Sequence, residues 1–178
     1  MIIAVWGLTG AGKNTLGALI AKRLGYRLVC PTFKDLAAKE GISLMDLQRR
    51  AEKDKSIDLK FDSLLREEAT KGDCVVTTWL GPWIVNADVK IKINVPLEIR
   101  AQRIAKRDGM SIKDALEHVR ERDESNRKRY LSLYKIDITD ESIFDAVLDG
   151  KKPPEELLKD SLKIIKMKQR KSNCVETR

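Results

Sequence analysis

Gly7, Gly10 and Gly12, with Lys13 directly after the last, are the residues of this chain best suited to chemistry. Four residues separate Gly7 from Gly12, and the run Gly7-Leu8-Thr9-Gly10-Ala11-Gly12-Lys13-Asn14-Thr15 is a phosphate-binding loop pattern with one departure. Glycines let the backbone turn tightly, so that successive N–H groups point inward at phosphate oxygens. Lys13 adds a mobile ammonium for the outer phosphates, and a helix starting there adds its positive end. The departure is Asn14, because the general pattern puts a hydroxyl for Mg²⁺ directly after the lysine. Here the hydroxyl comes one place later, on Thr15. We read Thr15 as the metal ligand and Asn14 as a polar variant beside the phosphates, and expect residues 7–15 to bind ATP.

A second constellation lies in residues 118–148. Arg122, Asn126 and Arg129 are spaced i, i+4 and i+7, which puts them on one helix face, and Arg120 and Arg127 form a neighbouring line. Glu121, Asp123 and Glu124 among them would suit an ordinary solvated face. Beside a phosphate loop, however, guanidinium forks neutralise the charge that spreads over a transferring phosphoryl group. Lys13, Arg120, Arg122, Arg127 and Arg129 are therefore the candidate catalytic cations. His118, the only histidine, has no catalytic partner in the sequence and reads as a surface residue.

These residues need a scaffold, and the apolar pattern supplies one. Residues 2–6 are a short apolar run closed by Gly7, which predicts a buried strand. Leu16, Leu19, Ile20 and Leu24 recur at helical spacing until Gly25. Further strands are predicted at 27–30, 74–80, 89–95 and 142–149. Helices are predicted through 33–71, with a break at Gly41 and an N-cap at Ser43, then from Pro96, from Ser111 to about Tyr130, and from the Pro153-Pro154 pair onward. Strands alternating with helices give an α/β fold, a parallel five-stranded sheet between two helical layers. The helical stretches 31–71 and 108–135 are too long for simple crossovers and are expected to cover a site.

At this point a resemblance becomes specific. Gly-x-x-Gly-Ala-Gly-Lys-x-Thr is similar to the loop of the nucleoside monophosphate kinases. RERDESNRKRY (120–130) and YKIDITDESIFD (134–145) resemble the archaeal branch of cytidylate kinase, as do residues 41–62, 87–109 and the PPEELL start of the closing helix. The likeness runs from Met1 to about Ile165. It implies a P-loop NTPase three-layer sandwich that transfers the γ-phosphoryl of ATP to CMP or dCMP with Mg²⁺. It also implies a core of residues 1–30, 72–107 and 136–168, an acceptor-binding insertion at 31–71, a lid at 108–135 and a basic tail at 169–178. Position by position, Arg122 matches a lid arginine on the phosphates and Arg129 one near the acceptor base. Lys34 stands where the family has an arginine for the acceptor phosphate, keeping the charge without the bidentate fork.

Three departures gather on the acceptor side. Thr78 and Trp79 replace the usual Gly-Arg after the third strand, and the loop before Phe33 lacks the family's Ser and Gly. Asn126 replaces an acidic residue that commonly reads the cytosine amino group, so base discrimination is expected to weaken. Trp79 is open to two readings, packing at the rim with Trp6 and Trp83 or contact with the acceptor. No acidic residue follows the third strand as a metal anchor, which leaves Thr15 with water, or Asp35.

Composition bounds the rest. At 178 residues, 42% apolar and 35% charged, the chain predicts one soluble domain, with no run of membrane-spanning length. It opens on MIIAVWG without the flanks of a signal peptide. Cys30, Cys74 and Cys174 are too scattered for a disulfide framework, so the cytoplasm is expected. Residues 159–178 carry seven basic and two acidic side chains of a net charge of +8, which reads as a solvated tail before it reads as a nucleic-acid arm. A monomer is implied by the resemblance. The competing reading is a degenerate relative that binds and slowly hydrolyses ATP, has lost its acceptor, and acts through an RNA or protein partner.

Overall fold

The computed structural model describes residues 1–175, with side chains through Arg170, so most side chains of the basic tail and its last three residues lie outside what is described. Five strands, β1 (Ile2–Trp6), β2 (Arg27–Val29), β3 (Cys74–Val76), β4 (Val89–Asn94) and β5 (Ala146–Asp149), form one parallel sheet in the order β2-β3-β1-β4-β5. The helices are α1 (Lys13–Leu24), α2 (Phe33–Glu40), α3 (Leu44–Lys53), α4 (Lys55–Thr70), α5 (Gly81–Ile84), α6 (Leu97–Asp108), α7 (Ile112–Tyr134) and α8 (Pro154–Val175).

Both sheet faces are covered, as a parallel sheet of near-continuous apolar strands requires. Ile3 and Val5 of β1, Val75, Ile91 and Ile93 pack with Leu16 and Ile20 of α1 and with Leu157 and Ile165 of α8. On the other face Val76 packs with Leu65 and Ala69 of α4, and Trp6 with Leu80, Tyr130 and Ile138. Helix α1 lies so close to the sheet that a Cβ on Gly17 would stand 2.1 Å from Thr77 Cγ2. That approach aims the start of α1 at the carboxyl ends of β1 and β3, the ligand crevice of such sheets.

Two strands are shorter than expected. The third stops at Val76, where its neighbour β2 also ends: the Thr77 N–H makes the last rung, to the Val29 carbonyl at 3.2 Å. Pro82 then starts the short helix α5, which periodicity did not reveal. The fifth covers only 146–149, since the residues before it coil through turns at Asp137 and Asp140 to seat Phe144 against Trp6 and Trp83, each at 5.7 Å between ring centroids. Helix α7 is continuous past Tyr130 to Tyr134, capped by Ser111 as expected. Its first half is fixed to α6 through Ala115 and Val119 against Ala101 and Ile104.

Candidate active site

The phosphate loop is shaped by its own glycines and braced from two helices. Gly10 and Gly12 adopt φ of 79° and 94°, which only glycine does without strain, and a Cβ on Gly10 would meet the Arg100 carbonyl at 2.7 Å. Leu8 and Ala11 contribute backbone, the Ala11 N–H donating to the Leu8 carbonyl at 3.0 Å. Arg100, buried in α6, donates to the Thr9 carbonyl at 3.0 Å and to Asp123 Oδ2 at 2.6 Å, while Asp123 Oδ1 accepts from the Thr9 N–H at 3.1 Å. Arg103 donates to the Ala11 carbonyl at 3.3 Å and to the Gly150 carbonyl at 2.7 Å. Asp123 thus ties α7 to the loop, a task its place in a charged run did not suggest.

Two of the cavities at this loop meet at Lys13. A groove of about 430 Å³ runs over Gly10, Gly12, Lys13 and Thr15 toward Arg107 and Arg122. On the other side of Lys13 lies a narrower slot with about 60 Å³ of free space, walled by Phe33, Phe61, Trp79 and Tyr130. Lys13, Asn14, Thr32 and Arg122 line both. A group passing from one cavity to the other crosses between a lysine and an arginine.

Lys13 is held in an unusual state. Burial first, and Arg122 second, lower its pKa to about 8. Triphosphate would restore the ammonium by replacing lost hydration with anionic oxygens. ATP binding should therefore take up close to one proton at pH 9 and almost none at pH 7. Calorimetry in two buffers of different ionisation enthalpy measures this directly. Equal heats in both buffers at pH 9 would remove Lys13 from the phosphate site.

The four arginines of α7, all expected on the phosphates, do not stand together: only Arg122 lines the cavities. Arg122 faces the cavities, its Nε buried without a partner, and burial lowers its pKa. Asn126 lines the slot. Arg129 is buried, donates from Nε and Nη2 to the two oxygens of Asp58 at 2.9 and 3.2 Å, and lies 4.9 Å from the Phe33 ring centroid. Arg120 and Arg127 are exposed and line neither cavity, and Arg127 faces Glu124 at 4.0 Å. A place for these two on the phosphates is thus not what the structure shows, because the i−2 and i+5 offsets from Arg122 turn them to solvent.

Lys34 borders the loop-side groove rather than the slot. Asp35 closes a capping box with Thr32, accepting from its N–H at 3.0 Å and its hydroxyl at 2.7 Å, which occupies the carboxylate considered for metal. Among the described residues no three His, Cys, Asp or Glu side chains gather as a metal cage. That suits an ion carried by phosphate oxygens and water, for which the Thr15 hydroxyl in the groove is the fitting protein donor. Trp79 packs at the rim, one of its two expected places, and also borders a cavity. Its ring stands edge-on to Trp6 at 6.1 Å, and it also walls the slot, with Lys13 Nζ 5.2 Å from the ring centroid. His118 borders the groove, its pKa lowered by burial and then by Arg122.

Sequence reasoning missed Gln48, Phe61, Asp62 and Tyr130 in the slot, and Asp58 behind it. Burial raises the Asp62 pKa to about 6, and its Oδ2 accepts from the Tyr134 hydroxyl at 2.6 Å. A signal existed: Asp58 and Asp62 share one face of α4 with buried Leu65 and Ala69, at i, i+4, i+7 and i+11.

Comparison with known proteins adds an independent line. The model of the cytidylate kinase-like family matches residues 2–152. A cytidylate kinase of Pyrobaculum aerophilum is 48% identical over 153 residues, covering 84% of this chain and 83% of that protein. Among solved structures, deoxyadenosine kinase from M. mycoides with bound dATP superposes with a TM-score of 0.61 at 21% identity, covering 93% of this chain and 100% of that one. Shikimate kinase from Aquifex aeolicus vf5 gives 0.56, also at 21% identity, covering 93% and 96%. Those two likenesses speak for the fold of the P-loop kinases.

Proposed function

The chain belongs to the cytidylate kinase-like family, and on that premise we propose that it transfers the γ-phosphoryl group of ATP to a pyrimidine nucleoside monophosphate, with CMP or dCMP foremost. The observation that carries this is the seam between the cavities, where Lys13, Asn14, Thr32 and Arg122 line both. The triphosphate lies along residues 7–15 in the wider groove, and the monophosphate sits in the slot with its phosphate at the seam. Lys13 and Arg122 hold the transferring group in line between the two oxygens, and the walls of Phe33, Phe61 and Trp79 exclude the water that would otherwise receive it. When bound, Mg²⁺ neutralises phosphate charge, and Thr15 is the side chain that would hold it.

Lys34, at the end of the insertion, lends its charge from the rim, and Trp79 bounds the acceptor where the family's arginine is absent. No helix among the described residues is long and apolar enough to cross a membrane. A cytoplasmic monomer that makes no use of nucleic acid completes this reading. A partner-directed ATP binder without an acceptor is not favoured, since such a protein has no need of a walled slot beside its loop.

The test is ADP release from Mg·ATP with CMP, dCMP, UMP, AMP, GMP or no acceptor. Strong stimulation by a pyrimidine monophosphate, with its diphosphate appearing, is the expected result. A slow rate indifferent to every acceptor would overturn the proposal.

A further inference from the structure

The slot holds buried polar atoms that the protein itself leaves unpaired. Gln48 of α3 is 2% exposed, yet neither its Oε1 nor its Nε2 has a hydrogen-bond partner, and the same is true of Asn126 Nδ2 and of the Thr77 and Thr78 hydroxyls. Gln48, Asn126, Thr77 and Thr78 all line this cavity. Leaving both ends of a carboxamide buried and unmatched is costly, so a group that arrives with a ligand is the natural partner.

The two amides differ in one respect that matters. Asn126 Oδ1 accepts from Arg129 Nη2 at 3.1 Å, so its orientation is fixed and its Nδ2 donors face the slot. Gln48 has nothing to fix it, and rotation of its terminal amide exchanges donor and acceptor at no cost in protein contacts.

We propose that Gln48 reads the N3 and 4-position edge of the acceptor base, that Asn126 donates to O2, and that this pairing makes the enzyme accept uracil as well as cytosine monophosphates. The inference rests on the kinase reading above. Cytosine offers an amino donor at C4 and an acceptor at N3, while uracil offers an acceptor O4 and a donor N3–H. A carboxamide matches the first pattern in one orientation and the second after a half-turn. O2 is an acceptor in both bases, which suits the fixed donor of Asn126. A carboxylate at position 48 could only accept, so with either base it would meet one donor and one acceptor and leave one position mismatched.

The experiment is a set of kcat/KM values for CMP and UMP in the parent, Gln48→Met and Gln48→Glu, with melting temperatures. The parent should use the two acceptors within about tenfold of each other. Gln48→Met, similar in volume and unable to pair, should lose about 10- to 100-fold on both, while its melting temperature holds or rises because an unpaired buried amide is gone. Gln48→Glu, assayed at pH 8.5 so that the carboxylate is ionised, should lose on both acceptors, since one of its oxygens then faces N3 of cytosine or O4 of uracil. A parent active on CMP but inert to UMP overturns the inference, as does a Met variant with unchanged kinetics. A parent that phosphorylates no monophosphate at all instead overturns the kinase reading on which the inference stands.

Discussion

Replacing Arg122 by alanine should lower the turnover number about a thousandfold while ATP affinity stays within about a factor of three. The split between the two effects follows from position. Arg122 lies at the seam, lining both the groove and the slot, with its Nε buried and unpaired. On the proposed function, the loop backbone and Lys13 already hold the triphosphate in the ground state. As the phosphoryl group leaves, negative charge spreads over oxygens between the two cavities, where a fixed guanidinium gains most in a water-poor site. Burial lowers the pKa of Arg122 and Arg107 adds to the shift, while Tyr130, Asp123 and Asp108 oppose it. A cation held at such a desolvation cost is poised for an anion. Calorimetric ATP binding and steady-state turnover with saturating acceptor separate the two quantities. Equal turnover in variant and parent would remove Arg122 from the reaction.

The phosphate loop could be read from the sequence because its chemistry is local: nine consecutive residues, 7–15, make the turn, the amides and the ammonium. The inward line of α7 was legible for a similar reason, since helical geometry alone separates Arg122, Asn126 and Arg129 from Arg120 and Arg127. The slot was not legible, because its walls come from α2, α3, α4, the turn after β3, and α7, segments joined only by the fold. Nothing in "SLMDLQRR" tells whether Gln48 faces water or a cavity until α3 is docked against α7. The early stop of β3 is of the same kind. Thr77–Leu80 is β-prone by composition, and only the end of β2 and the turn into α5 decide that pairing ceases. The two aspartates of α4 sit between these cases: their place on an apolar face hints at buried partners, but the partner Arg129 is 71 positions away from Asp58.

That pair carries the largest expected effect on stability. Asp58→Ala should cost about 3–5 kcal/mol, the usual penalty for leaving a buried charge without its partner. Asp58 is 2% exposed and Arg129 6%, and the guanidinium is further enclosed by the rings of Phe33 and Tyr130. For a domain whose total stability is on the order of 5–15 kcal/mol, such a loss approaches the margin. The intact pair, by contrast, adds little over an apolar contact. Burial raises the pKa of Asp58 despite the opposing attraction and hydrogen bonds of Arg129, so desolvation outweighs the ion pair for this carboxylate. It follows that Asp58→Leu combined with Arg129→Met should recover most of what Asp58→Ala loses, although Asn126 then lacks the donor that orients it and acceptor KM should rise. Denaturant unfolding of the parent, the single and the double variant decides the matter. A double variant as unstable as Asp58→Ala would show the ion pair itself, rather than the stranded charge, to be what joins the insertion to α7.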